Sequence, residues 1–299
     1  MATINKRVRR PQANVVNGVD AGGMMTARIQ KGYDEIVRSA PDGLQALILD
    51  RVAQFCRGDI ASQDWVHAIE LLTGTLGTCV FYERKSGAAE LTGFVKHTLT
   101  APVIHRIRLS YKQGQYATVA YSFECRAADE TKGFADMHAV TDDQAAPTYI
   151  SAARGGFRIE AAALGALSIY HVTAFDLEIA LQLVKRCNDG DVGYTCVDAE
   201  LTGMTIRGSI SFEDMGVTAS QLKAAQLLAA ERGSLVLTLR QSGAAADKTL
   251  TIAGVQCLDD SSDSDANNDA SGSTVNFEVT NDSGTPLTLA GANKILTIA

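Results

Sequence analysis

The residues whose types and spacing could do chemistry are few, and the densest group is acidic. Asp263, Asp265, Asn267 and Asp269 alternate within DDSSDSDANNDASGS, residues 259–273, as oxygen ligands do in a calcium loop. Such a loop needs glycine at its sixth position and an acidic residue at its twelfth, where this chain has Asn268 and Thr274. The stretch therefore reads as the solvated, mobile tip of a hairpin. The five histidines (His67, His97, His105, His138, His171) show no HxxxH or HxH spacing for a metal or an acid–base pair. No GxSxG elbow, Walker loop or strand-linked GxGxxG occurs, and Arg154-Gly155-Gly156 reads as a turn. The six cysteines (Cys56, Cys79, Cys125, Cys187, Cys196, Cys257) form no CxxC pair, the pattern of buried reduced thiols. No catalytic, cofactor-binding or metal-binding residue is assigned, and the chain is read as a non-enzyme without a cofactor.

The bulk properties agree with a globular protein. The chain has 299 residues, 46% of them hydrophobic and 20% charged, which allows two domains of about 150 residues, each with its own core. No apolar run approaches the ~18 residues of a membrane helix, and the basic N-terminus MATINKRVRRPQ lacks the apolar centre of a signal peptide. These features imply synthesis in the cytoplasm and no membrane partner. A net charge of −7 disfavours a dedicated nucleic-acid binder.

The elements that must position any site come in two sets. Gly77 to Ala89, GTCVFYERKSGAA, returns as GSLVLTLRQSGAA from Gly233 to Ala245, with seven of thirteen positions identical. RGDIASQDW from Arg57 is echoed by RGSISFEDM from Arg207, Thr98-Leu99-Thr100 by Thr249-Leu250-Thr251, and YSFEC (Tyr121 to Cys125) by VNFEV (Val275 to Val279). Four blocks recur in one order, so the chain is expected to be two copies of one fold. Asp64/Asp214 and Arg84/Arg240 recur with them, which suits a helix cap or a structural salt bridge.

Within the first copy, residues 1–12 read as a basic arm and Val15 to Arg38 as mixed, Gly-spaced chain. LQALILDRVAQFCRGDI reads mostly as strand. A short helix follows, capped by Ser62 or Asp64, striped by Trp65, Ile69 and Leu72 and stopped at Gly74. Strands are expected from Cys79, over Lys96 to Ser110, and over Tyr116 to Arg126 after a turn at Lys112-Gln113-Gly114. The boundary falls in the loop-rich residues 127–156. The second copy carries a strand run through Phe175, Leu177, Ile179, Leu181 and Leu183, then a helix from Thr218 to Arg232 in the slot of the first. LTLAGANKILTIA ends the chain as a possible last strand or hairpin.

MTIRGSISFED (Met204 to Asp214), the capped helix after it and the strand from Ser234 carry a family likeness. They resemble the tail tube (major tail) proteins of long, flexible-tailed bacteriophages, whose strand before the helix reads G-x-I-x-G-S-I. The first copy departs from that pattern, with Asp59 where the second has Ser209. The resemblance implies a mainly β fold of two tandem β-sandwich or incomplete-barrel domains, each flanked by one α-helix, at residues 13–150 and 151–299 behind the 1–12 arm. It implies a structural virion protein of the tail that self-associates into stacked rings, three chains giving a six-domain ring. Tape-measure, baseplate and terminator proteins would be its partners, and DNA would pass the lumen without specific binding. An acidic lumen, with the 259–273 loop as a candidate part of it, would suit that passage. The alternatives are another ring-forming virion part (tail terminator, baseplate ring or capsid decoration) or a β-sandwich ligand-binding module.

Overall fold

The computed structural model of the chain describes residues 9–16, 19–39, 46–65, 79–85, 94–126, 137–144, 156–165, 167–188, 195–213, 233–241, 247–264, 271–280 and 294–299. Eight strands lie in the first half: β1 (Arg9–Val16), β2 (Val19–Ser39), β3 (Ala46–Ser62), β4 (Cys79–Lys85), β5 (Phe94–Leu99), β6 (Pro102–Lys112), β7 (Thr118–Cys125) and β8 (His138–Gln144). Eight more follow: β9 (Phe157–Leu164), β10 (Leu167–Tyr170), β11 (Val172–Asn188), β12 (Thr195–Glu213), β13 (Gly233–Gln241), β14 (Lys248–Ser264), β15 (Ser271–Val279) and β16 (Leu296–Ile298). The described chain is mainly β, as expected, and antiparallel throughout except where Thr195 of β12 meets Gln54 of β3. The hydrogen-bonded order is β10-β9-β13-β14-β15-β12-β11-β6-β7-β3-β2-β1-β4-β5-β8, with β16 against β14. Both helices expected from the sequence lie outside the described residues, apart from Asp64 and Trp65 at the start of the first.

Two long hairpins, β2–β3 and β11–β12, form the middle of this order. β11 follows from period-two alternation: Phe175, Leu177, Ile179 and Leu181 are buried while Asp176 and Glu178 face outward. The mixed reading of Val15 to Arg38 is corrected, because Val15 and Val16 belong to β1 and Val19 to Arg38 to the 21-residue β2. Glycine hid the strand. A Cβ at Gly32 would stand 2.7 Å from Phe55 Cζ, so the missing side chain is the space an aromatic neighbour fills. The same device recurs in the core. A Cβ at Gly58 would lie 2.8 Å from Phe123 Cζ, and one at Gly208 would lie 2.8 Å from Phe277 Cε2.

Three other expectations are corrected. Arg9 to Gln12 are not arm but strand, pairing with β4 from Arg9↔Lys85 onward, and Pro11 is tolerated because the ladder bulges between Pro11 and Ala13. The single strand expected over Lys96 to Ser110 breaks at Thr100-Ala101, where Ala101 takes φ 41° and turns the chain from β5 into β6. The loop expected over 259–273 is mostly ladder: β14 and β15 pair out to Ser264↔Ser271, because cross-strand partners decide the state of weak strand formers such as Ser and Asp.

One contiguous core runs through both halves, from Phe81 and Leu99 to Leu250 and Val275. Its seam is Trp65, fully buried, whose indole Nε1 donates to the Thr118 carbonyl at 2.8 Å. The indole meets Phe175 at 5.8 Å between ring centroids, and Phe175 in turn meets Phe277 at 6.4 Å. Because Trp65 is the only tryptophan, its emission reports this seam directly. Gly208→Ala and Gly58→Ala should each lower stability by about 1–3 kcal/mol through overpacking, read as a lower denaturant midpoint of the Trp65 emission shift. An unchanged midpoint in both would show that the phenyl rings and the Arg28 and Asp176 carbonyls, which a Cβ would also meet, give way at no cost.

Candidate functional site

Eight strands in the order β14-β15-β12-β11-β6-β7-β3-β2 turn one face to the core and the other outward. On the outward face, register places unlike charges side by side across four strands: Arg108↔Glu178, Glu178↔Arg207 and Arg207↔Glu278. A neighbouring row sets Arg28 beside Asp59 and then passes through Ser122 to Arg106. Side chains exploit this arrangement. Arg106 reaches Glu178 at 2.6 Å and Arg108 reaches Asp176 at 2.9 Å, while Arg207 meets Glu278 at 3.3 Å. Ser110 donates to Asp176 at 2.7 Å, Ser122 to Asp59 at 2.5 Å and Asn276 to Asp259 at 2.6 Å. Glu178 raises the Arg106 guanidinium above its ordinary range by accepting its hydrogen bond. Each exposed pair contributes no more than about 1 kcal/mol. Their alternation instead decides which strand can lie beside which.

The face is balanced rather than acidic. Five arginines (Arg28, Arg57, Arg106, Arg108, Arg207) stand with Asp59, Asp176, Glu178, Asp259 and Glu278 on it. A shallow depression of about 220 Å³ lies over Gly58, walled by Arg28, Arg57, Asp59 and Arg106. Comparison with protein-family models gives no match, and comparison with curated proteins gives none either.

The eight-strand run has two open edges. Among the described residues, β2 from Met24 to Ser39 pairs only with β3, and β14 from Leu258 to Ser264 pairs only with β15. In the middle of the run, by contrast, β6 and β11 close on each other from Ala174↔Lys112 to Ala180↔Arg106. That pairing is hydrophobic on the core side, where Ile107 faces Ile179 and Leu109 faces Leu177.

The second feature with chemical content was invisible in the sequence. Pairing of β5 with β8 brings two of the scattered histidines together, His97 Nδ1 to His138 Nε2 at 2.9 Å, and His97 Nε2 lies 3.1 Å from Glu83 Oε2. Phe81 stacks on His97 at 4.3 Å. Lys31 Nζ donates to the His138 carbonyl at 3.2 Å. The histidines are buried, and burial, helped by Lys31 and His97, pushes His138 down to about 4, against a smaller opposing pull from Glu83. The line Glu83–His97–His138 serves as a buried polar tie between β4, β5 and β8.

The other candidates fall apart. Asp263 sits in β14 opposite Gly272, while Asp265, Asn267 and Asp269 lie outside the described residues, as does His67. His105 lies at a bulge of β6, and His171 occupies a left-handed turn at φ 53° before β11. Cys56, Cys79 and Cys125 are buried free thiols, and burial raises Cys79 to about 12. Arg240 pairs with Glu160 at 2.5 Å, the structural role expected for it. Arg84 and Asp214 have no described side chain.

Because the folded state holds His138 below its ordinary 6.5, the unfolded chain binds more protons between about pH 6.5 and 4. Stability should therefore be complete above pH 6.5 and fall as pH drops toward 4. Thermal melts across that range test it, with His138→Gln expected to flatten the slope. An equal slope in parent and variant would remove His138 as its source.

Proposed function

We propose that this chain is a structural virion protein of a phage tail, built from two copies of one β-sandwich domain, that polymerises into stacked rings forming a conduit for DNA. The halves would meet near residues 150–156, with one helix flanking each, in the stretches after Trp65 and after Glu213. Strand pairings support the duplication. Val15↔Val80 in β1–β4 matches Ala163↔Val236 in β9–β13, Gly58↔Phe123 matches Gly208↔Phe277, and Leu99↔His138 matches Leu250↔Ile298. The bend at Ala101 (φ 41°) has its counterpart at Gly254 (φ 71°).

Bulges support it more strongly, since each is a local interruption with no reason to recur by chance. The unpaired residues Gln12, Met25, Leu47, Val52 and His105 correspond to Glu160, Thr173, Val197, Thr202 and Leu258. Their offsets are 148 on β1 and β2, 150 on β3 and 153 on β6, the drift that loop insertions produce.

The observation that carries the functional reading is the edge-to-edge join of the halves through β6 and β11, which leaves open the same two kinds of edge, β14 and β2. A unit that joins head to tail within itself can continue head to tail with others, closing as a ring or opening as a filament. Balanced, mutually paired charges on the outward face suit a lumen that lets phosphates slide past.

Negative-stain microscopy of the purified chain, with mass from light scattering, tests the proposal. Rings or tubes with an axial hole are expected, in multiples of three chains. A mass of one chain at every concentration, or particles without a hole, would overturn it in favour of a ligand-binding module. The assembled particle should also fail to retain duplex DNA on a filter at physiological salt.

A further inference from the structure

The internal β6–β11 join supplies a template for a contact between chains. On the proposed duplication, β14 stands in the place of β6 and β2 in the place of β11. Transferring the register with the offsets above puts Asp263 opposite Arg28, Asp260 opposite Lys31 and Asp259 opposite Gly32. Asp263 and Asp260 of one edge thus stand against Arg28 and Lys31 of the other.

The signs are the reverse of those inside the chain. At the internal join β6 is the basic partner, with Arg106, Arg108 and Lys112, and β11 is the acidic one, with Asp176 and Glu178. At the open edges β14 is acidic and β2 carries Arg28 and Lys31, both exposed. We propose that the open β14 edge of one chain pairs antiparallel with the open β2 edge of a second copy, in the Asp263↔Arg28 register, and that this inverted charge pattern keeps the contact from exchanging with the internal β6–β11 join. Cross-pairing of β14 with β11 in the same register would set Asp263 directly opposite Asp176, and cross-pairing of β6 with β2 would put Arg28 where Asp176 now stands, diagonal to Arg108; like charges so placed are destabilising.

The core-side positions point the same way. The internal join pairs Ile107 with Ile179, whereas the corresponding positions of the open edges are Asp260 and Lys31. Ionic residues in place of an apolar pair keep a free edge soluble and block unselected strand addition. The contact between chains is accordingly more polar than the join within one, and it should weaken as salt screens it.

The test is charge reversal followed by compensation. Asp263→Arg lies at an edge position opposite Gly272 and should weaken assembly about tenfold or more. Adding Arg28→Asp should restore it, with the Trp65 melt verifying that the fold survives. A second measurement stands if the compensating variant fails to fold. In a Cys257→Ser background, Arg28→Cys with Asp263→Cys should link chains into ladders on a non-reducing gel after copper-phenanthroline oxidation in air. Arg28→Cys with Asp259→Cys, shifted by four residues, should not. Rings that persist unchanged in Asp263→Arg, or equal linking by both cysteine pairs, would overturn this register while leaving the ring proposal intact. A parent chain that never associates would overturn both.

Discussion

The ladder between Arg106–Lys112 and Ala174–Ala180 is the constraint on which most of the structure depends. A strand edge is a row of donors and acceptors that must be paired or left to water. Closing β6 on β11 removes two edges at once and makes one sheet of what would otherwise be two. The core then becomes continuous beneath it, and Trp65 can reach across to Phe175 and through it to Phe277. The same ladder lines up the outward charges, so that Arg108 and Glu178 belong to one alternating row with Arg207 and Glu278. Packing below and electrostatics above thus share one backbone register.

Long strands keep that register only with help. A strand of 17 to 21 residues accumulates twist, and period-two alternation drifts out of phase with a curved core. Bulges at Met25, Val52 and Leu47, and at Thr173, Thr202 and Val197, re-aim the chain at intervals. Glycines at 58 and 208 leave room for the phenyl rings of Phe123 and Phe277 where β3 meets β7 and β12 meets β15.

How much of this could be read from the amino acids differs by element. β11 was legible because its buried positions are all large and apolar and its outward ones are charged. β2 was not, since Gly32 and its neighbours show no alternation until Phe55 and β3 are placed beside them. The β14–β15 extension was read as loop for a similar reason: Ser and Asp have low strand propensity, and cross-strand partners decide their state. The recurrence of short words, Arg57-Gly58 and Arg207-Gly208 among them, is visible without any strand pairing. The charge rows and the Glu83–His97–His138 tie were beyond reach, because their members lie on different strands and only register brings them together. The helices expected after Asp64 and from Thr218 fall outside the described residues.

The seam also sets an order of events. A ribosome makes β6 well before β11, so a nascent first half carries a bare edge and a Trp65 without its aromatic partner until the second half emerges. During that interval the exposed strand presents Arg106, Arg108 and Lys112 to solvent, a row of like charges that repels its equivalent on a neighbouring nascent chain. The arginines that bind Asp176 and Glu178 thus also disfavour pairing of β6 with a second β6.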